Sequence, residues 1–407
     1  MTSAALTPVR CGFVPLIDCA LPVIAHEQGF AEQQGLALEL VREASWAAIR
    51  DKVAFGVLDA AHLLAGIPLA CAVGAARAPQ VGMLALMALG RGGNSITVSS
   101  ALYRRMVEAD PVAMAGPRAQ SAQALRKVID ADRAAGRPPL SFATVFPVSS
   151  HNFELRYWLA SAGIDPDLDL NLGIIAPPRM VESLALGHID GYCVGEPWGQ
   201  RAVAKGVGAI IATKSDLFPA APEKVLGVRT AWAEQQGDVA EKLIRAFVQA
   251  AQWADDPDNR ETLAALLARE DYLGQSDAAI LASLRGEVIL RAGEPATVLP
   301  GSHVFYHWQA TFPWLSHGHW LMAQMQRWGL WSGDLAERAR IVSSVYRPDL
   351  YRRAVAPLGI PLPVEDMRVE GGHLQPFQSP AEGGGMIDLG PDIFMDGRLF
   401  DPARSPV

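Results

Sequence analysis

The sequence has few basic residues, and this shortage argues against one class of function. Its 35 Lys and Arg residues are outnumbered by 43 Asp and Glu residues, so that the formal charge is −8. No run of basic residues is longer than two. Because a nucleic-acid surface needs clustered cations that displace phosphate counterions, direct binding of RNA or DNA is not expected.

Metal ligands at useful spacing are also missing. The four cysteines form no C-x-x-C pair, and none has a histidine at metal-ligand spacing. We predict that they are free residues on buried strands, with a disulfide between Cys11 and Cys19 as the alternative. Four further histidines lack a carboxylate or cysteine at matching spacing and predict a packed helical face rather than a metal site: His303, His307, His317 and His319.

Long apolar runs and targeting patterns are absent. No uninterrupted apolar segment reaches the ~18 residues that a membrane-spanning helix needs. Residues 1–30 contain no basic region followed by a long apolar stretch, which is the pattern of an export signal. These absences predict a cytoplasmic protein without membrane contact.

Catalytic and nucleotide-binding motifs are absent as well. The sequence has no G-x-S-x-G, no Walker A segment, no H-E-x-x-H and no G-x-G-x-x-G between a strand and a helix. These absences remove the best-known enzyme classes without excluding every enzyme, and our expectation is a protein that is not an enzyme and needs no cofactor.

The sequence does contain a regular alternation of strand-like and helix-like segments. Half of its 407 residues are hydrophobic, and this length predicts two lobes rather than one core. The alternation favours an α/β fold with mostly parallel sheets. The Gly-rich segment 90–100 is predicted to cross between the lobes, and segment 224–235 to return. The predicted division is 1–95 for the first part of lobe 1, 96–205 for lobe 2, 206–355 for the mostly helical second part of lobe 1, and 356–407 for an extended tail on the surface.

Polar side chains that could line a cleft stand at strand ends and helix starts. Trp46 follows the predicted helix cap Ser45, and its indole N–H either points into the cleft or lies in the core. Asn94, in the Gly-rich crossing, offers an amide donor or simply forms a turn. His151 opens a helix, where free backbone N–H groups favour anions, or it is a capping residue. Lys224 is either a counter-charge or a surface lysine.

Six segments, taken together, resemble the nitrate- and bicarbonate-binding proteins of the NrtA/CmpA type. The resemblance runs in order from about residue 9 to 402. It implies a type II periplasmic-binding-protein fold, with two α/β lobes and a central cleft that holds an oxyanion. The segments are "ASWAAIRD" (44–51), "FPVSSHNFELRYWLA" (146–160), "APPRMVESL" (176–184), "GYCVGEPW" (191–198), "PEKVLGVR" (222–229) and "FMDGRLFDP" (394–402).

The resemblance also implies a set of ligand-binding residues: Trp46, Asn94, His151, Pro177 and Lys224. Asn94 stands near the position where nitrate-binding members carry a glutamine. Nitrate offers only acceptor oxygens, so its pocket needs donors and a positive charge, which Lys224 would supply. Bicarbonate-binding relatives carry an acidic group at that position, so the lysine favours nitrate or nitrite.

Four residues are predicted to surround the ligand or the hinge without touching the anion: Ser45, Pro178, Glu196 and Trp198. The "P-P" element is displaced by one residue relative to the family, which leaves Pro177 and Pro178 as alternatives. A carboxylate in contact with a bound anion would repel it. We therefore expect Glu196 to accept backbone or arginine donors and to fix the hinge strand.

The functional prediction is a cytoplasmic nitrate/nitrite sensor that resembles NasS. Such a protein holds a NasT-type, RNA-binding antiterminator with an ANTAR domain and releases it when the anion binds, which regulates nitrate assimilation genes. The absence of an export signal favours this role over the first alternative, the solute-binding component of a nitrate or bicarbonate ABC transporter. A second alternative is an enzyme of the same fold that resembles the thiamine-pyrimidine synthases.

Overall fold

A computed structural model describes residues 5–404 and divides them into two α/β lobes. The first lobe begins with strands that alternate with helices. Its strands are Thr7–Phe13 (β1), Leu36–Arg42 (β2), Ala60–Leu64 (β3) and Met83–Ala88 (β4). Its helices are Ala20–Glu27 (α1), Phe30–Gln33 (α2), Trp46–Ala54 (α3) and Gly66–Val73 (α4).

The chain then crosses into the second lobe through a short strand, Arg91–Gly92 (β5). The strands of this lobe are Asn94–Ser99 (β6), Ser141–Thr144 (β7), Asn171–Ile174 (β8), Gly191–Gly195 (β9) and Gly208–Thr213 (β10). Its helices are Ser100–Ala109 (α5), Pro111–Ala115 (α6), Ala122–Ala134 (α7), Ser150–Ser161 (α8), Met180–Ala185 (α9), Trp198–Ala204 (α10) and Lys214–Leu217 (α11).

Strand Lys224–Arg229 (β11) returns the chain to the first lobe, which helices then complete. These helices are Thr230–Gln235 (α12), Gly237–Asp255 (α13), Arg260–Ala268 (α14), Asp277–Leu284 (α15), Leu315–Arg327 (α16), Leu335–Val345 (α17) and Pro348–Val355 (α18). The short strands are Glu287–Val288 (β12), Thr297–Val298 (β13), His303–Val304 (β14), Phe377–Pro380 (β15) and Met386–Leu389 (β16).

Each lobe has a five-stranded sheet in which four strands run in one direction and a single strand runs against them, so the prediction of mostly parallel sheets is confirmed. The strand orders are β2-β1-β3-β11-β4 and β10-β6-β9-β7-β8. β11 is antiparallel to β3 and β4, and β6 is antiparallel to β9 and β10. Both exceptions are the first full strands that the chain forms after crossing from the other lobe, so they enter the sheet from the opposite end.

The helices that cover the first sheet bury one face at helical spacing. In α13, residues Val239, Leu243, Phe247 and Ala254 lie in the core with β1 and α1. The inner strands of the sheets are mostly apolar: all five residues of β3 are buried, and only His62 among them is polar. The four cysteines are free and buried, as predicted, and the alternative disulfide is wrong. Cys11 and Cys193 lie on strands, whereas Cys19 and Cys71 lie in helical segments, so the predicted placement on strands is wrong for these two.

The predicted lobe boundary at residue 205 falls too early. β10 pairs with β6 in the second sheet, so the second lobe continues at least to Thr213. Its first sheet strand begins at Asn94, close to the predicted boundary at residue 95. Sequence reasoning misplaced the later boundary because β10 is an apolar strand that would fit either sheet.

Two segments tie the lobes together in addition to the chain crossings. The first is the strap, residues 287–304: Leu290 O accepts a hydrogen bond from Ile210 N in the second lobe, and β14 pairs with β5. The second is the tail, in which Phe394 stacks on Phe218 at 4.0 Å between ring centroids. The tail also forms the β15–β16 hairpin and buries several side chains, so the prediction of an extended surface segment is wrong. Packing of its aromatic residues against both lobes explains the burial.

Between residues 5 and 404, no helix combines the length and the apolar composition that crossing a bilayer requires.

Candidate functional site

Four of the five predicted ligand residues meet between the lobes, around the carboxylate of Glu223. Lys224 Nζ lies 2.5 Å from Glu223 Oε1 and 5.5 Å from the centroid of the Trp46 ring. Asn94 Nδ2 donates to Glu223 Oε2, and His151 Nε2 lies 3.6 Å from Glu223 Oε1. Lobe 1 supplies Trp46 and Lys224, and lobe 2 supplies Asn94 and His151. We call this buried cluster the cleft site.

Trp46 is placed by the start of α3. Ser45, in extended conformation, caps this helix: its Oγ accepts a hydrogen bond of 3.2 Å from Ala48 N. The Trp46 ring is 1% exposed and packs 5.4 Å from the ring of His62. Its Nε1 has no hydrogen-bond partner among the described residues. The cap therefore fixes an indole N–H donor against the cleft site.

His151 is the second residue of α8, which Ser149 caps by accepting a hydrogen bond from Asn152 N. The imidazole is fully buried, and neither nitrogen has a hydrogen-bond partner within residues 5–404. Burial lowers the pKa of His151 to about 3, so the ring is neutral and carries one N–H donor. The positive end of the α8 dipole lies at the same place.

Lys224 is the first residue of β11 and is 1% exposed, so it is not a surface lysine. Its Nζ contacts Asp18 Oδ2 at 2.6 Å as well as Glu223. Although burial lowers the pKa of Lys224, these two carboxylates outweigh it and raise the pKa above its usual value. His62 completes this side, with Nε2 2.9 Å from Asp18 Oδ1. Lys224 is therefore a charged ammonium that two carboxylates share.

A second buried ammonium stands on the other side of Glu223. Lys214 Nζ lies 2.5 Å from Glu223 Oε2 and 3.2 Å from Glu154 Oε1, and Lys214 is 1% exposed. Ser150 Oγ donates to Glu223 Oε1 at 3.0 Å. The expectation that Lys224 alone supplies the fixed charge is thus incomplete. The cleft site holds two ammonium groups and three carboxyl groups, those of Asp18, Glu154 and Glu223.

Sequence reasoning missed five residues of the cleft site: Asp18, His62, Glu154, Lys214 and Glu223. Two of them could have been inferred from their position in the sequence beside predicted ligand residues. Glu223 is the neighbour of Lys224 in "PEKVLGVR", and Glu154 follows His151 by three residues, which places it on the same helix face. The other three could not be inferred in this way, because only the tertiary fold brings them to the cleft.

Several buried polar atoms of the cleft site have no hydrogen-bond partner among residues 5–404. They are Trp46 Nε1, His62 Nδ1, Asn94 Oδ1 and both ring nitrogens of His151. Buried polar atoms are nearly always hydrogen-bonded, since leaving one unpaired costs about 1–3 kcal/mol. Such a concentration of unpaired atoms between two lobes is typical of a binding site for a small polar ligand.

The structure places the two prolines differently. Pro177 starts the short 3-10 helix Pro177–Arg179 after β8 and is buried, whereas Pro178 is exposed. A proline side chain has no hydrogen-bond donor, so Pro177 could contribute only an apolar wall. Among the described residues, neither proline forms a side-chain hydrogen bond to the cleft site.

Glu196 and Trp198 lie where the lobes join. Glu196 O accepts a hydrogen bond from Ile17 N, and Glu196 N donates to Gly93 O. The buried Glu196 carboxyl accepts hydrogen bonds from Ser95 Oγ at 3.0 Å and from Gln200 N at 2.9 Å. Trp198 begins α10 and is buried. Glu196 thus accepts a backbone donor, as expected, but no arginine is paired with it in the described part of the chain.

The four histidines near the end of the chain do not share one helix face. His317 and His319 lie in α16, whereas His303 is in β14 and His307 pairs with Asp255 at 2.9 Å. In residues 5–404 no group of three or more His, Cys, Asp or Glu residues could hold a metal ion.

The sequence matches the model of the NMT1-like family over residues 3–268. Two Synechocystis relatives, strain PCC 6803, are each 37% identical: the nitrate import ATP-binding protein NrtC over 352 residues and the bicarbonate transport ATP-binding protein CmpC over 323 residues. The matches cover 86% and 79% of this chain but only 50% and 46% of those proteins, so the chain spans about half of their length.

Two further comparisons extend over nearly the whole chain. The nitrate/nitrite binding protein NrtA of Synechococcus elongatus is 31% identical over 403 residues, which cover 97% of this chain and 83% of that protein. The crystal structure of the periplasmic nitrate-binding protein NrtA from Synechocystis PCC 6803 superimposes with a TM-score of 0.84 at 27% identity. It covers 98% of this chain and 96% of that one. The predicted two-lobed periplasmic-binding-protein fold is confirmed.

Proposed function

Because the chain belongs to the NMT1-like family, we propose that it binds nitrate or nitrite between its two lobes. The observation that supports this most directly is the cleft site: buried, unpaired donors at Trp46 and His151 beside a charged Lys224. The NrtA proteins, named for binding nitrate, share the fold over almost the whole chain.

Each donor has a distinct part in this proposal. Nitrate and nitrite accept hydrogen bonds and donate none, so the Trp46 indole N–H and one imidazole N–H of His151 would each point at an oxygen. The Lys224 ammonium would supply a charge-assisted contact, which is about twice as strong as a neutral hydrogen bond. The amide of Asn94 already donates to Glu154 and Glu223, so Asn94 would hold these two carboxyl groups in place, and Pro177 would supply an apolar wall. The two donors from different lobes would link closure of the lobes to binding.

Titration calorimetry with nitrate, nitrite, bicarbonate and sulfate tests the ligand. We expect heat with nitrate or nitrite and none with sulfate, whose second charge has no counterpart in the cleft site. Heat with bicarbonate alone would reassign the ligand, and no heat with any of the four would refute the proposed site.

The variant Lys224→Met tests whether the Lys224 ammonium contributes to nitrate binding. It removes the charged contact and leaves Asp18 and Glu223 with one ammonium fewer, so nitrate affinity should fall at least about a hundredfold, or about 3 kcal/mol. Lys242→Met is the control, because in the described part of the chain Lys242 pairs only with the exposed Asp238 one helical turn away. A Lys224→Met chain that binds nitrate like the control would contradict the role of Lys224.

For the biological role, we propose a solute-binding component of a nitrate transporter. The relatives named above are transport ATP-binding proteins and anion-binding proteins, which supports this alternative better than the sensor. None of them is named as a synthase, so the enzyme alternative receives no support.

The cytoplasmic sensor and its NasT-type partner stay predictions. Co-purification of the chain with a NasT-type antiterminator, weakened by added nitrate, would support the sensor. Stimulation of a reconstituted nitrate transporter by the chain, without antiterminator binding, would support the transport role. Coupling between anion and partner is reciprocal, so the antiterminator would have to weaken nitrate binding by the same factor.

A further inference from the structure

The charges of the cleft site do not favour an added anion. Asp18, Glu154 and Glu223 carry three negative charges when ionised, against two positive charges on Lys214 and Lys224. The side chains of Asp18, Glu154 and Glu223 are 12%, 2% and 2% exposed, and the side chains of both lysines are 1% exposed. With neutral histidines, the fully ionised cluster has a formal charge of −1, which an anion would change to −2 in a site nearly sealed from water.

Such an excess is costly in a low-dielectric interior. Buried groups usually relieve it by a change of protonation rather than by holding an uncompensated charge. The positive end of α8 offsets only about half an elementary charge. Binding of nitrate therefore requires either weak affinity or a compensating proton.

Geometry distinguishes among the three carboxyl groups. Glu223 contacts both ammonium groups at 2.5 Å and accepts from Ser150 and Asn94. Asp18 contacts Lys224 at 2.6 Å and His62 at 2.9 Å.

Glu154 has the weakest partners. One oxygen accepts from Asn94 Nδ2 at 2.9 Å, while Oε1 has Lys214 Nζ at 3.2 Å, the longest of the ammonium–carboxylate contacts in the cleft site. The Lys214 ammonium is closer to Glu223, at 2.5 Å. Glu154 Oε1 is thus the carboxyl oxygen most open to a proton.

On the basis of the proposed function, we propose that Glu154 takes up one proton from solvent when the anion binds, so that the cleft binds the anion and the proton together. The proton bonds to Glu154 Oε1, and the cluster keeps its formal charge of −1 with the anion in place. Four charged or titratable groups surround Glu154. They are Lys214 in α11, Glu223 just before β11, Cys193 in β9, and His151, which lies three residues earlier in α8.

The titration of these groups agrees with this assignment. Burial raises the pKa of Glu154 to about 7, since Lys214 only partly offsets it. Burial also raises the pKa of the Cys193 thiol and lowers that of His151, so both stay neutral near neutral pH. For Glu223, Lys214 and Lys224 outweigh burial and hold the pKa well below its usual value. Glu154 is therefore the carboxyl that changes state near neutral pH.

Calorimetric titration of the full chain with sodium nitrate tests the proposal. Measurement in phosphate and in Tris, which differ in ionisation enthalpy, gives the number of protons bound with the anion. Above a pH of about 7, we expect about one proton per nitrate and a fall in affinity of about tenfold per pH unit. Below that pH, Glu154 is already protonated, so proton uptake and the pH dependence should both fade.

Glu154→Gln keeps the shape and the neutral form of the side chain. It should bind nitrate without proton uptake, and its affinity should be independent of pH in the range where the wild-type affinity falls. Glu370→Gln is the control: Glu370 is fully buried and its pKa is raised by burial, but it lies outside the cleft, where it contacts Ser316 and Arg368. It should keep proton uptake, and thermal unfolding should verify that both variants fold.

The outcomes separate this inference from the proposed function. Nitrate binding with the same heat in both buffers and with constant affinity would overturn the inference and leave the anion site intact. Proton uptake that persists in folded Glu154→Gln would also overturn it. No binding by the wild-type chain at any pH would overturn both.

Discussion

At the scale of the residue, Trp46 serves the core and the cleft at once. Its ring is 1% exposed, while its Nε1 lacks a partner. Trp46→Phe keeps an aromatic ring and removes the donor. Nitrate affinity should therefore fall about tenfold, or about 1.4 kcal/mol, measured by calorimetry. The urea midpoint of unfolding should change little.

Trp158→Phe is the control for this prediction. Trp158 is fully buried with an unpaired Nε1 as well, but it lies in the core of the second lobe. It should leave nitrate affinity unchanged. Equal losses of affinity in the two variants would mean that the Trp46 donor has no special role.

The buried carboxyl of Glu196 leads to a second prediction at the scale of the residue, on how the stability of the fold depends on pH. Burial raises the pKa of Glu196 to about 7. The hydrogen bonds from Gln200 and Ser95 lower this pKa, but burial outweighs them. The folded state keeps this proton, and the unfolded state loses it above a pH of about 4.5. The contribution of Glu196 to the free energy of unfolding is therefore fully present below that pH and is lost as the pH rises to about 7, a change of about 3 kcal/mol.

Glu196→Gln removes this loss, because the amide does not titrate. The free energy of unfolding of the variant minus that of the wild type should grow between pH values of about 4.5 and 7 and then level off. Urea unfolding of both chains over a pH series measures it. Parallel stability curves for the two chains would refute the raised pKa.

At the scale of the element, the strand-and-helix alternation predicted both lobes, their mostly parallel sheets and the return strand β11, but it did not predict that β6 and β11 run against the other strands. β6 and β11 are apolar runs like their neighbours, and nothing local distinguishes an antiparallel strand inside a mostly parallel sheet. Direction depends on the lobe from which the chain arrives. Nor did the Gly- and Pro-rich composition of the tail reveal that a few of its aromatic residues are buried.

The tail carries a prediction of its own. Phe394 packs on Phe218 at 4.0 Å and edge-on to Tyr157 of the second lobe at 6.2 Å, while Phe218 packs 5.6 Å from Trp320 in α16. Phe394→Ala should lower the free energy of unfolding by about 3–5 kcal/mol. It should also lower nitrate affinity, since it loosens the contact between the lobes.

Leu399→Ala, in the same tail but 62% exposed, is the control and should do neither. Urea unfolding and calorimetry measure the two quantities. A Phe394→Ala chain as stable as Leu399→Ala would mean that the tail does not hold the lobes together.

At the scale of the whole molecule, an anion held by both lobes must stabilise the folded chain against unfolding. At a nitrate concentration of about 100 times Kd, the gain is about 2.7 kcal/mol. Sodium nitrate should therefore raise Tm relative to sodium chloride at equal ionic strength. Identical Tm values in the two salts would argue against a site that the lobes share.

The sequence predicted only those residues of the cleft site that stand beside a local signal. Trp46, His151 and Lys224 stand beside local signals, namely a helix cap, a helix start and the start of a strand. Asp18 and Lys214 come from a short turn and a four-residue helix, and only the closure of two lobes sets them beside Glu223. The balance of charge in the cleft was therefore beyond sequence reasoning, although the donors were not.

The position of β11 between β3 and β4 has a consequence for synthesis on the ribosome. β4 leaves the ribosome well before β11, and the whole second lobe emerges between them. Until β11 emerges, the first sheet lacks this inner strand. The backbone N–H and C=O groups of β3 and β4 that pair with β11 therefore remain without partners. The second lobe, whose strands are contiguous in the chain, can complete its sheet first, and the nascent first lobe is the part that needs protection from aggregation.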